Sequence, residues 1–133
     1  MNSIIRQRFD TIEALLIENP VIISYEVLRC EIAPSDGKLR IKAVLSDGGT
    51  LELFEYVAES GGHIHLLKYS FHWQDAQTKL KKRWDNVPHY PNLPNAPHHI
   101  HFEDGLVQEI TDVPDVFSVI KQIEAALTQR EDN

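Results

Sequence analysis

The chain has 133 residues, 42% hydrophobic and 25% charged, with a formal net charge of −7 and one cysteine. That is enough residues for one domain to bury a real core. The single cysteine, Cys30, excludes an internal disulfide, and the overall acidity excludes non-specific binding to nucleic acid by the body as a whole. No apolar run is long enough to span a bilayer and no signal-peptide core opens the chain, so the expected setting is the cytoplasm, with no membrane partner.

Asn2 or Ser3 can cap a first helix over residues 3–18, with Ile5, Phe9, Ile12, Leu15 and Leu16 as its apolar stripe. The Asn19-Pro20 step ends it, because a residue before proline avoids helical angles. A meander of strands follows. Val21–Ala33 is rich in branched and aromatic residues, and a turn at Pro34–Gly37 leads to a second strand, Leu39–Ser46. Asp47–Gly49 is a hairpin signal before a third strand, Thr50–Val57. Ser60–Gly62 turns the chain into a long fourth strand, His63–Asp75, and a fifth runs from Lys79 to Asn86. Short connections make these neighbours antiparallel.

Residues 86–97 then hold Pro88, Pro91, Pro94 and Pro97. A polyproline II strut with this spacing stacks the prolines on one edge, puts His89 and His98 on another, and spans roughly 28 Å. An irregular proline-rich loop fits the same residues. Glu103–Gly105 closes the segment. Thr111 or Asp112 then caps a last helix over residues 113–129, with Pro114 in its first turn and Val116, Val119, Ile120, Ile123 and Leu127 as its stripe. The expected architecture is α+β: one domain over residues 1–133, with an antiparallel meander sheet of five or six strands (residues 21–103) and a helix at each end.

The chemistry is concentrated. All seven histidines lie between His63 and His101, and residues 63–101 carry five basic side chains against two acidic ones, making this stretch +3. Alternation along a strand puts Tyr69, Phe71 and Trp73 on one face and Ser70, His72 and Gln74 on the other. Arg83 and Asp85 share a face on the next strand. Glu55 lies among Leu51, Leu53 and Val57, an unusual companion for three apolar residues.

The KYSFHWQD strand (68–75), the RWDNVPH element (83–89) and the PHHIH end (97–101) together resemble the TumE family of prokaryotic toxins. The resemblance covers roughly residues 20–103, and Tyr90 stands where family members carry a second histidine. It implies the toxin of a type II toxin–antitoxin pair, whose antitoxin is a separate DNA-binding protein encoded nearby.

Growth-inhibiting toxins of this size are often ribonucleases, and the residues suit metal-independent cleavage of RNA. That reaction needs a base, an acid and a cation for the phosphate, and no cofactor. The candidate catalytic set is His98, His89, Arg83, Asp85, Tyr69 and Glu55. His98 is the first choice for proton transfer, and Tyr69 and Trp84 are candidates to stack bases. Lys68, Lys81, Lys82 and Arg83 are the candidate RNA-binding cations. Two alternatives stand beside this reading. His63, His65, His99 and His101 can be metal ligands if the two strand pairs converge. The basic stretch can instead belong to a non-enzymatic binding module, and a homodimer is left open.

Overall fold

The computed structural model describes residues 2–87, 96–110 and 112–131, with side chains as far as Thr128. Helix α1 (Ser3–Glu18) begins at Asn2, whose side chain accepts hydrogen bonds from the backbone N–H groups of Ile4 and Ile5, both at 3.0 Å. Seven strands follow among the described residues: β1 (Ile22–Ile32), β2 (Asp36–Leu45), β3 (Thr50–Ser60), β4 (His63–Gln74), β5 (Leu80–Asp85), β6 (His99–Phe102) and β7 (Val107–Glu109). Helix α2 (Val116–Glu131) comes last. The strands form a single antiparallel sheet in unbroken chain order, β1 to β7. The α+β meander is therefore as expected, with seven strands rather than five or six.

The differences have local causes. The β1–β2 hairpin closes tightly, with Ala33 N–H bonding the Asp36 carbonyl at 2.8 Å, so Asp36 and Gly37 belong to β2 rather than to the turn. Gly37 is required there by proximity: a Cβ on it would sit 2.8 Å from Cγ2 of Ile5 in α1. At the β3–β4 turn Gly61 and Gly62 have φ of 59° and 84°, the paired positive angles of a type I′ hairpin. The sheet does not stop near residue 103, because the turn at Glu103–Gly105 leads into β7. Helix α2 starts three residues later than the sequence pattern suggested. Asp115 caps it, accepting from Ser118 N–H at 2.9 Å while Ser118 Oγ accepts from Asp115 N–H at 3.2 Å. This reciprocal box outcompetes Asp112 as the cap and leaves Pro114 ahead of the helix. Thr111 and the proposed strut over residues 88–95 lie outside the described residues.

Both helices pack on one face of the sheet. Ile5, Phe9, Ile12 and Leu16 of α1 and Val116, Val119, Ile120, Ile123 and Leu127 of α2 share a core with Leu39, Ile41, Leu51, Leu53, Phe71, Trp73 and Trp84. Asn19 fastens the helices together, its Nδ2 donating to Glu124 Oε2 at 3.1 Å. The other face of the sheet carries no helix and displays the alternate residues, among them Lys38, Arg40, Phe54, Tyr56, Ser70 and His72. No helix among the described residues is long and apolar enough to cross a membrane.

Candidate functional site

Register across β4, β5 and β6 places Ser70 opposite Asp85 and Asp85 opposite His99, while His72 faces Arg83 and Arg83 faces His101. Residues directly paired across strands project from the same face, so these six line the open side of the sheet. Four of them touch. Arg83 Nε donates to Asp85 Oδ2 at 3.1 Å, and Arg83 Nη2 donates to His101 Nε2 at 3.0 Å. A guanidinium has no acceptor, so His101 Nε2 must present a lone pair and hold its proton on Nδ1. His99 Nδ1 donates to the Pro97 carbonyl at 2.8 Å, which turns Nε2 toward Asp85 Oδ1, 2.8 Å away. That contact has the distance of a hydrogen bond without its alignment. The His99 and His101 rings meet edge to face at 4.8 Å.

Asp85 is the hub. It is 3% exposed, as a buried carboxylate must be partnered to be, and the Val87 N–H fixes Oδ1 at 3.1 Å. Arg83 remains about one third exposed, so its fork reaches solvent while its root is anchored. His72 completes this side. Burial, then the neighbouring positive charge of Arg83, holds its imidazole below the usual range, against a smaller opposing pull from Glu52.

Tyr69, His98 and Glu55 of the expected catalytic set lie on the helix side. Tyr69 is buried among core residues, its ring stacked on Phe71 at 5.4 Å and on His98 at 5.7 Å. Its hydroxyl meets His98 Nδ1 at 2.8 Å. Burial, then the charge of Asp85, pushes the phenol well above its ordinary range, so it stays protonated and donates to His98. His98 is held below the usual imidazole range by burial and then by His99. A neutral His98 accepting at Nδ1 carries its proton on Nε2, which makes it a hydrogen-bond donor rather than a base. Glu55 is fully buried and gripped at both oxygens by Arg8 of α1, at 2.7 and 2.9 Å. Its odd place among leucines is explained by a cation delivered from the helix layer.

The structure separates other expected groupings. His63 and His65 are exposed at the far end of β4, opposite Ser60 and Ala58, so the four imidazoles do not converge. Among the described residues, the metal-competent donors that do gather are Asp85, His99 and His101, whose ligand atoms lie within 4.8 Å of one another. Tyr69 and Trp84 face the core and are 1% and 2% exposed, so neither can stack on a base. Of the expected RNA-binding lysines, Lys68 is exposed beside the open face, Lys81 pairs with Glu103 at 3.4 Å, and Lys82 lies over the rings of Trp84 and Phe102. His89 lies outside the described residues. Two contributors were missed. His72 was visible in the strand alternation but not weighed. Asn86 ties the strand ends, accepting from Tyr69 N–H and donating to the Leu67 carbonyl, both at 3.0 Å.

No curated protein and no solved structure matches the chain. A family model described as Toxin TumE matches residues 12–131, from the second half of α1 through all seven strands to the end of α2. The chain belongs to the TumE toxin family.

Proposed function

We propose that this chain is the toxin of a type II toxin–antitoxin pair and that it acts by cutting RNA without a metal ion, at the Arg83, Asp85, His99 and His101 cluster. The observation that carries the reading is the fork of Arg83, which bridges Asp85 Oδ2 and His101 Nε2. A guanidinium there supplies the positive charge that a phosphoryl transition state needs, in a geometry matched to two phosphate oxygens. When Arg83 turns to phosphate, the lone pair of His101 Nε2 becomes available to take the 2′-hydroxyl proton. The proton for the leaving oxygen comes from the charged form of His72, opposite Arg83 on the same face; its lowered range makes that form a stronger acid and moves its share of the work toward acid pH. Asp85 and His99 are too buried to touch RNA, and they act by positioning Arg83 and the β5–β6 rim. The role first given to His98 moves to these imidazoles, because Tyr69 occupies its basic nitrogen.

Family membership supports the toxin half of the proposal, and a toxin of this kind implies a cognate antitoxin as partner. Cleavage is tested with purified protein and a total RNA preparation in the presence of EDTA. The expected result is cleavage that persists with the chelator. Arg83→Lys keeps the charge and loses the fork, so a charge-assisted hydrogen bond of about 1.5–3 kcal/mol goes and the rate falls roughly 10- to 100-fold. Full activity in a folded Arg83→Lys protein would overturn the role of Arg83.

One observation favours a second reading. A histidine that donates Nδ1–H to a carbonyl and leaves Nε2 facing other donor atoms is held as metal ligands commonly are, and the donors of Asp85, His99 and His101 lie within 4.8 Å of one another. Asp85, His99 and His101 would then be the ligands, and Arg83 would have to leave the lone pairs it now occupies. Loss of cleavage in EDTA with recovery on adding zinc or manganese would establish that arrangement.

A further inference from the structure

The open face of the sheet holds a second feature, away from the cluster. A shallow cavity of about 470 Å³ spans β1 to β4, lined by Arg29, Lys38, Arg40, Phe54, Tyr56 and Lys68 and by no acidic residue. Its cations and rings are interleaved. Lys38 Nζ lies 5.2 Å from the Tyr56 ring centre, and the Arg40 guanidinium lies 4.6 Å above Phe54. Tyr56 is steadied by its hydroxyl, which donates to Asp36 Oδ2 at 2.7 Å.

Register joins this patch to the cluster. Arg29, Arg40, Phe54, Ser70, Asp85 and His99 are successive partners in one row across six strands. Lys38, Tyr56 and Lys68 make the adjoining row. At about 4.8 Å per strand, Arg40 stands roughly 14 Å from Asp85 with nothing but Phe54 and Ser70 between them in the row. We propose that this face is a binding track for single-stranded RNA, which lays its phosphates along Lys38, Arg40, Arg29 and Lys68 and its bases against the half-buried Tyr56 and Arg40 planes, and so delivers the adjacent nucleotide to Arg83. The proposal rests on the ribonuclease reading for its substrate class.

Two ion pairs border the track, Arg29–Glu31 at 2.9 Å and Arg40–Glu52 at 3.2 Å. Both are exposed, and such pairs are worth about 0–1 kcal/mol, too little to hold the cations back from phosphate. The interleaved rings favour a nucleic acid over an acidic peptide, because stacking adds about 1–3 kcal/mol per base that a peptide carboxylate cannot gain.

The test measures binding apart from chemistry. A fluorescein-labelled 2′-O-methyl oligouridylate has no 2′-hydroxyl to attack and cannot be cut by this route. Its affinity is followed by fluorescence anisotropy as salt is varied. Four phosphate contacts give a slope of log K against log salt of about −2.8, and Lys38→Ala with Arg40→Ala together bring it to about −1.4. Tyr56→Leu weakens binding about fivefold or more with the slope unchanged, since it removes stacking and no charge. An unchanged slope in the double variant overturns the track, even if RNA is still cut at the cluster. A slope that changes as expected in a protein that cuts no RNA keeps the track and overturns the ribonuclease reading. An oligoglutamate peptide that displaces the probe as well as unlabelled oligouridylate does would also overturn the track, because a face that reads charge alone makes no use of its rings.

Discussion

Buried charge in this protein is handled by forks. Arg8 grips Glu55 on the helix side, and Arg83 holds Asp85 on the open side. The two pairs differ in what they leave accessible, since the Arg8 side chain is 19% exposed and that of Arg83 is 37% exposed. Removing Arg8 leaves a carboxylate buried without its counter-charge, which costs about 3 kcal/mol or more. Arg8→Met should therefore lower the denaturation midpoint sharply, and adding Glu55→Leu should restore most of the loss. A double variant no more stable than Arg8→Met alone would show that the pair is not the cause. Much of the Arg83–Asp85 arrangement was legible, because two positions apart on a strand means one face. The partner of Glu55 was not, because it lies 47 residues away on a helix and nothing local announces it.

At the scale of elements, periodicity identified both helices and five of the strands, and the errors fell at their ends. Asp112 and Asp115 are equally good caps by residue type, and only the reciprocal bonds with Ser118 decide between them. Short β7 was hidden because three residues are too few to show alternation. Lys38, Arg40 and Lys42 alternate along β2 and share a face, but their alignment with β3 and β4 comes only from the register. Where α1 crosses the sheet, Gly37 admits Ile5 and Phe9, whose atoms would lie 2.8 and 3.2 Å from an added Cβ. The carbonyl of Glu31, at 3.1 Å, cannot yield either. Gly37→Ala should thus destabilise by about 1–3 kcal/mol through overpacking, measured by urea unfolding, although alanine is otherwise the better strand residue. A neutral or stabilising result would mean that the helix can shift outward freely.

For the molecule as a whole, acid is the direction of weakness. His72 and His98 are both held below the ordinary imidazole value of 6.5 in the fold. As the pH falls from about 7 to about 5 the unfolded chain takes up these protons first, so stability drops across that window. Glu31 and Glu59, lowered from 4.5 by Arg29 and by Asn2, extend the loss further into acid. Melting temperature against pH should show this decline, and His72→Asn should flatten its upper part. The family predicts the cellular result: induction of this chain alone arrests colony formation, and co-expression of its cognate antitoxin restores it. Vigorous colonies with abundant folded protein would refute an active toxin.

The sheet is laid down strictly in chain order, each strand pairing with the one made just before it. Such a fold can zip up hairpin by hairpin as a nascent chain leaves the ribosome, with little waiting for distant partners. The polar cluster, however, draws Asp85 from β5 and His99 and His101 from β6. A chain that ends before the sixth strand lacks both of these histidines, and it also lacks α2, whose Val116, Val119, Ile120, Ile123 and Leu127 complete the core. The cluster of Arg83, Asp85, His99 and His101 is therefore complete in sequence only after about three quarters of the chain has been synthesised.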